Sequence, residues 1–313
     1  MIIVGAGLSG LIAAQYFRSR RPVVMEAQTG LPNNHNALLR FRSDVVSKTT
    51  GIPFKKMRVN KAIVYKREFI HTCNAFLANQ YSVKVTGQVL GRSIWKLDEV
   101  DRYLAPVDFV SKIAAGALIS LAKSFSPELI RPAPVPVIST APMPMMMDAV
   151  GWKHKPEFNS IPIWSVQLTF EYPFVDAAQT LYYPDTEVPY YRASISGRQF
   201  IVEFVRDPGS DVHSHLHDVL SDFGLVGASF CNWSHGAKEH KYGKIVPIDE
   251  DIRRDFMYHL TREYNIYSLG RFATWRQILL DDVVHDCSVI EDMIRADDRA
   301  SLYRQNLERA KAN

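Results

Sequence analysis

The stretch MIIVGAGLSGLIAAQYF, residues 1–17, decides how the rest of this 313-residue chain is read. Its opening MIIV is a short β-branched run, and LSGLIAAQYFRSR, from residue 8, carries apolar residues at helical spacing. Between them Gly5, Gly7 and Gly10 stand at G-x-G-x-x-G spacing. Strand, glycine turn and helix are the context in which that spacing grips a dinucleotide. Gly5 allows the tight turn, Gly7 lets the backbone approach a pyrophosphate, and Gly10 lets the helix pack on the strand. The helix start, at Leu8 and Ser9, then offers unpaired N–H groups and a partial positive charge to phosphate.

The next run, PVVMEAQTG at residues 22–30, reads as a strand with Glu26 at its carboxyl end, twenty-one positions after Gly5. A carboxylate there accepts hydrogen bonds from both ribose hydroxyls of an adenosine and repels a 2′-phosphate, which disfavours NADP. Ala27 and Gly30 belong to the loop that follows. The plainer alternative is a tight turn and a solvated acid; strand, helix and distal acid together outweigh it.

The bulk numbers are permissive. Hydrophobic residues make up 47 %, enough for a sizeable core. A formal charge of +4 is too small to argue for nucleic acid and suits an anionic ligand. Cys73, Cys231 and Cys287 are scattered, with no C-x-x-C, so neither a disulfide framework nor a zinc knuckle is indicated, and a reducing cytoplasm is the simplest setting. No signal peptide is expected ahead of a first strand that begins at residue 1 or 2. VSKIAAGALISLA, residues 110–122, is too short to span a bilayer and reads as a buried helix.

Along the chain, residues 31–60 read as loop, then helix. YSVKVTGQVLGRSIW, residues 81–95, reads as strand, turn, strand, and residues 98–123 as mostly helical. Six prolines between Pro127 and Pro144 exclude a helix there, with PVPVISTAPMP as a β-run ending in a turn. Residues 161–206 give three or four strands. HSHLHDVLSDFGL is a helix, residues 248–270 are a helix followed by a strand, and the tail from 271 is helical. The order describes a nucleotide-binding α/β layer interrupted by a second, mainly β layer. His213, His215 and His217 alternate, but on a helix only His213 and His217 share a face, and no metal is expected. Met145–Met147 reads as flexible packing near a cofactor edge. The aromatic run TLYYP suggests an interface in a homodimer.

Four segments, with the N-terminal glycines, resemble one family. They are VISTAPMP (137–144), YYPDTEVPYYRAS (182–194), KYGKIVPI (241–248) and YSLGRFATWRQILLDDVV (267–284). In this order they are similar to the UDP-galactopyranose mutases, within the FAD-dependent amine oxidase superfamily. The resemblance implies an α/β fold: a Rossmann-like FAD-binding domain (1–48, 128–150 and 262–300) with a parallel sheet. It is interrupted by a substrate domain (49–127 and 151–261) with a mixed or antiparallel sheet and a small helical part, and 301–313 is a charged tail. It implies FAD as cofactor and a redox-neutral ring contraction of a UDP-sugar by N5 of the reduced flavin. By the same resemblance Arg192 holds the substrate diphosphate between Tyr190 and Tyr191, and Arg271 lies by the FAD pyrophosphate. Asp281 or Asp282 lies near the flavin ribityl or ring edge, and His35 near the flavin.

The chain departs from the family at Leu38, where a second histidine is usual, and at Leu31, where a second glycine is. The second phosphate arginine has no clear counterpart; Arg42, Arg92 and Arg131 are candidates. Two other functions stay open. One is an FAD-dependent amine oxidase or dehydrogenase, acting on an amine, an amino acid or a modified nucleotide. The other is a non-catalytic binding protein similar to the GDP-dissociation inhibitors. The expected partner is a small-molecule substrate, a nucleotide sugar or an amine, with no membrane.

Overall fold

The computed structural model describes residues 1–31, 39–89, 93–126, 133–172, 178–233 and 236–312. The opening stretch forms β1 (Ile2–Val4) and α1 (Leu8–Tyr16), followed by β2 (Val23–Met25). Next come β3 (Arg40–Phe41), α2 (Val45–Thr50), β4 (Lys55–Tyr65), β5 (Glu68–Ile70) and α3 (Ala75–Thr86). β6 (Val100–Leu104), α4 (Phe109–Ala115), β7 (Leu118–Ser120), β8 (Val137–Ser139) and α5 (Met143–Ala149) complete the first half. The second half carries β9 (Ser160–Phe170), β10 (Ala178–Tyr182), β11 (Tyr190–Ser196), β12 (Gln199–Phe204) and α6 (Val212–Asp222). It ends with β13 (Phe230–Trp233), β14 (Lys238–Ile245), α7 (Glu250–Tyr264), β15 (Ile266–Ser268) and α8 (Leu280–Ala312).

Two sheets organise these elements. The first is parallel, in the order β15-β8-β1-β2-β7. The chain leaves β1 toward β2 and β7 on one side and returns to β8 and β15 on the other. The end of β1 is therefore the switch point at which such sheets bind ligands. Ile3, Val24 and Ile138 pack against Leu11, Ile12, Ile113, Val283 and Cys287 on one face. On the other face Val137 and Ile266 meet Met143, Met146, Met147, Phe256 and Leu260. Of the methionine run, Met146 and Met147 are core packing on α5, beside Met143, while Met145 is exposed.

The second sheet is mixed and follows the path β13-β9-β12-β11-β10-β4-β6-β3, with β14 paired to β9 and β5 to β4. Its β10–β4 pair is parallel and the others are antiparallel. One face is apolar: Val166, Leu168, Leu181, Ala193, Phe200, Val202 and Phe204 pack against Val212, Leu216 and Val219 of α6. Of the three or four strands expected over 161–206, four form, β9 to β12.

Three expectations are corrected. Residues 81–86 are the end of α3, not a strand. Asn74 caps that helix by accepting from Leu77 N at 3.0 Å, and Gly87 ends it at φ 71°. The valines at 83 and 85 imitate a strand, but Leu77, Ala78, Tyr81, Ser82 and Val85 are buried at helical spacing. The run 110–122 is not one helix either: α4 stops at Gly116, and Leu118–Ser120 becomes β7, hydrogen-bonded to β2 in the parallel sheet. TLYYP lies inside the molecule, because β10 sits between β11 and β4 and Thr180 to Tyr183 are all buried, so it offers no dimer interface. Pro144 lies inside α5, but in its first turn, where a missing N–H costs nothing.

Besides its apolar packing on the second sheet, α3 is tied to it by one polar side chain. The Lys84 ammonium donates to Tyr183 O at 2.9 Å, to Tyr190 O at 2.7 Å and to Asp185 O. All three carbonyls flank the β10–β11 connection, which leads directly into Arg192. Lys84→Met leaves them without this donor. An unfolding titration in urea is expected to show a loss of about 2–3 kcal/mol, the scale of abandoned part-buried acceptors; a loss below about 0.5 kcal/mol would refute the latch.

Candidate functional site

The glycine turn shows what each glycine is for. Gly5 has φ +96°, and a Cβ there would lie 2.4 Å from Thr140 Oγ1. A Cβ on Gly10 would lie 2.0 Å from Gly5 O, so only glycine lets α1 approach β1 this closely. A Cβ on Gly7 would meet nothing within 4 Å and its φ is −71°. The fold therefore does not require glycine at 7, and the missing side chain leaves the backbone there open to close approach. Gly30 is likewise unrequired by the fold, and both it and Ala27 are exposed.

Gly7 is the N-cap of α1, with no side-chain cap and no acid in the first turn. Leu8 and Ser9 thus open a nine-residue helix whose first amides are left for an outside acceptor. Glu26 follows β2 and is 7 % exposed. Its Oε2 accepts from Ala6 N at 2.8 Å and its Oε1 from Gln28 N at 3.0 Å. Each oxygen keeps lone-pair capacity, and the carboxylate is held fixed beside the turn. This donor and acceptor set can hold the pyrophosphate and ribose of an adenine dinucleotide.

A second group of side chains lies on the polar face of the mixed sheet. Ser165, Thr180, Ser194 and Glu203 are all buried there, opposite the apolar face under α6. The register slips between Tyr190 and Arg192. The bulge sends Tyr191 and Arg192 to one side, and both reach Glu203. Tyr191 Oη donates to Glu203 Oε1 at 2.9 Å, Arg192 Nη2 donates to the same oxygen at 2.7 Å, and Arg192 Nε donates to Oε2. Tyr190 points to the opposite face, against Tyr183, Phe204 and His215. The two tyrosines therefore do not flank Arg192 together.

Charge on this face is unbalanced. Burial alone would raise the Glu203 pKa, but Arg192 and then Lys244 outweigh it and hold it below its ordinary value. Arg192 is raised in turn, Glu203 outweighing its burial. Lys244 Nζ stands 5.8 Å from the centre of the Tyr191 ring. Arg40 donates from Nη2 to Thr180 Oγ1 at 2.9 Å, while its Nη1 is buried without a partner among the described residues. Burial, with Arg192 adding, pushes the Arg40 pKa down to about 10. Arg271 donates from Nη2 to Gly243 O at 3.0 Å, its Nε is buried without a partner among the described residues, and burial lowers its pKa.

One close contact joins the two groups. A Cβ on Gly270 would lie 2.6 Å from Ser9 Oγ, so the residue before Arg271 sits against the first turn of α1. Arg271 therefore follows a residue packed on the glycine turn, and its side chain reaches Gly243 O of β14.

Asp281 and Asp282 are engaged with groups of the chain itself. Asp281 accepts from Ser43 N and Ser43 Oγ, each at 2.8 Å, and Asp282 accepts from Arg42 Nη2 at 2.8 Å and Leu279 N at 2.7 Å. Both carboxylates pin the β3–α2 link to α8, and Arg42 is engaged with them. His35, Leu38, Arg92 and Arg131 lie outside the described residues. His213 stacks edge-on against Trp233 at 4.4 Å. Among the described residues no group of three His, Cys, Asp or Glu side chains is placed to hold a metal. No helix among them is long and apolar enough to cross a membrane.

Sequence reasoning missed Glu203 and Arg40. The signal for Glu203 was present in QFIVEF, where one acid interrupts an apolar strand opposite an arginine. Arg40 sits in LLRFR with no such mark.

No protein-family model and no curated protein matches the chain. Solved structures do. A reduced UDP-galactopyranose mutase aligns at TM-score 0.64 and 13 % identity, covering 94 % of this chain and 93 % of that one. The fold is the one they share. A p-nitrophenol 4-monooxygenase from Pseudomonas putida aligns at TM-score 0.52 and 12 % identity over 96 % of this chain and 80 % of its own. A flavoprotein/dehydrogenase from Cytophaga hutchinsonii aligns at 0.51 and 10 % over 91 % and 74 %. The α/β architecture, a parallel sheet joined to a curled mixed sheet, is common to all of them.

Proposed function

We propose that this chain is an FAD-dependent flavoenzyme whose reaction is a mutase-like, redox-neutral ring contraction of a UDP-sugar. The observation that carries the flavin reading is the turn at Gly5–Gly10. Gly5 and Gly10 are demanded by packing, Gly7 is not, and α1 presents uncapped amides beside the fixed Glu26. The near-complete mutual coverage with the mutase supports the finer reading.

Bound and reduced, the flavin supplies the nucleophile for the sugar's anomeric carbon. The protein's own residues do the remainder. Arg40, Arg192, Lys244 and Arg271 set an excess of positive charge against Glu203, which suits the diphosphate of a nucleotide sugar. The unpartnered Nη1 of Arg40 and Nε of Arg271 are the free donors for its oxygens. Glu203 fixes Arg192 and Tyr191 as the rigid floor, backed by the apolar cluster of Ile63, Tyr81, Tyr182 and Tyr191.

A second reading, an FAD-dependent amine oxidase or dehydrogenase, is favoured by one observation. Arg192, the residue that the motif assigns to the diphosphate, is already paired with Glu203. The experiment starts with the visible spectrum of the purified protein and identification of the released pigment. A yellow protein that releases FAD is expected, with turnover of a UDP-sugar only after reduction. Bleaching by an amine, with recovery in air, would establish the second reading. A protein that stays colourless after incubation with FAD would overturn both.

A further inference from the structure

A cleft of about 360 Å³ lies between α7, α8 and β15, the edge strand of the parallel sheet. That is within the roughly 300–1,000 Å³ of ordinary small-molecule pockets. Its walls are apolar: Met257 and Tyr258 of α7 face Val289, Ile290 and Met293 of α8. Tyr258 is 65 % exposed, Val289 46 % and Met293 42 %, an apolar lining left open to solvent.

Three arginines, Arg253, Arg254 and Arg276, line the cleft against one carboxylate, Asp286, so its lining is net positive. Arg253 is held by Glu250 at 2.8 and 2.6 Å. Arg276 gives Nη2 to Asp286, but its Nε is buried with no partner among the described residues. A buried donor left unpaired costs about 1–3 kcal/mol, which a small side-chain shift that bares it to a ligand oxygen would recover. Apolar walls closing on an unsatisfied guanidinium N–H complement a molecule with an apolar body and an anionic end. A planar carboxylate matches the guanidinium, and methionine walls adapt to a flexible chain. Beside Arg276, Trp275 has φ 46°, an outlying conformation for so large a residue, and is held by Nε1 donating to Val246 O at 2.8 Å.

We infer that the α7–α8 cleft binds an amphipathic carboxylate, its apolar body between the helices and its carboxylate on Arg276. The site is separate from the glycine turn, and the inference does not rest on the flavin reading.

Decanoate is the probe, titrated by calorimetry into the full-length protein as purified, with tryptophan emission as the second readout because Trp275 adjoins Arg276. Saturable one-to-one binding is expected, with decanol binding at least ~10-fold more weakly, the worth of one charge-assisted contact. Arg276→Gln should weaken decanoate by a similar factor. Tyr258→Asp should do so as well, and because Tyr258 is exposed this variant keeps its fold, which circular dichroism checks. Absence of saturable binding, equal affinity for decanol, or undiminished affinity in folded Tyr258→Asp would each overturn the inference.

Discussion

Gly7→Ala is expected to abolish flavin retention while leaving the apoprotein's stability within about 1 kcal/mol of wild type, the cost of exchanging glycine for alanine at an N-cap. Gly10→Ala is expected to lose both. At Gly7 an added Cβ meets nothing within 4 Å, and φ is −71°, so the folded chain accommodates alanine. The methyl group then stands where a pyrophosphate must approach the backbone. At Gly10 the added atom is 2.0 Å from Gly5 O and 3.1 Å from Gly5 C. Those are backbone atoms of a turn that is itself locked, because Gly5 is fixed at φ +96° against Thr140. Nothing flexible can move aside, so α1 must separate from β1, at a cost of about 3 kcal/mol or more, at or above the upper end of ordinary overpacking. Thermal unfolding without cofactor and FAD release from the purified variants separate the two cases. If Gly7→Ala stays yellow at full occupancy, the pyrophosphate does not lie over residue 7, and the flavin reading loses the observation that carries it.

The two glycines also show how far the sequence could be read. Strand, turn, helix and distal acid are local relations, set within about twenty residues, and they were legible. So were the four strands from Ser160 to Phe204, because one face of that sheet packs on α6 and the alternation is strong. The errors fell where tertiary contacts overrule a local pattern. Val83 and Val85 look like strand residues, and only the cap at Asn74 and packing against Tyr182 and Tyr191 make them helical. Leu118–Ser120 is a strand because β2 offers it an edge, which no local signal announces. At the site, the motif around residue 192 pointed to an arginine that the structure pairs with an acid. Its role depends on Glu203, eleven positions away, which the bulge in β11 makes the partner of both Tyr191 and Arg192. Spacing along a chain does not show which charges are already spent.

That partnership yields the other large expected effect. Glu203→Leu should destabilise the protein by about 2–3 kcal/mol, somewhat below the 3–5 kcal/mol of a fully buried pair because the Arg192 side chain is 37 % exposed and partly screened. The substitution leaves a guanidinium among Arg40, Lys244 and Arg271 without its carboxylate, and leaves the fully buried Tyr191 hydroxyl without its acceptor. Replacing both partners, Arg192→Met with Glu203→Leu, should recover more than half of the loss, since most of it comes from the orphaned charge rather than from the pair itself. The effect has a pH signature. The Glu203 pKa is depressed in the folded protein, so its contribution is complete above the unfolded value, near pH 4.3, and is lost as pH falls through the folded one. The stability gap between wild type and Glu203→Leu should therefore be flat from about pH 5 to 7 and close below pH 4. If the gap stays open in acid, or if the double variant is no better than the single one, the carboxylate is not neutralising Arg192. The motif's assignment of Arg192 to an anionic substrate would then regain its place over Arg40 and Arg271.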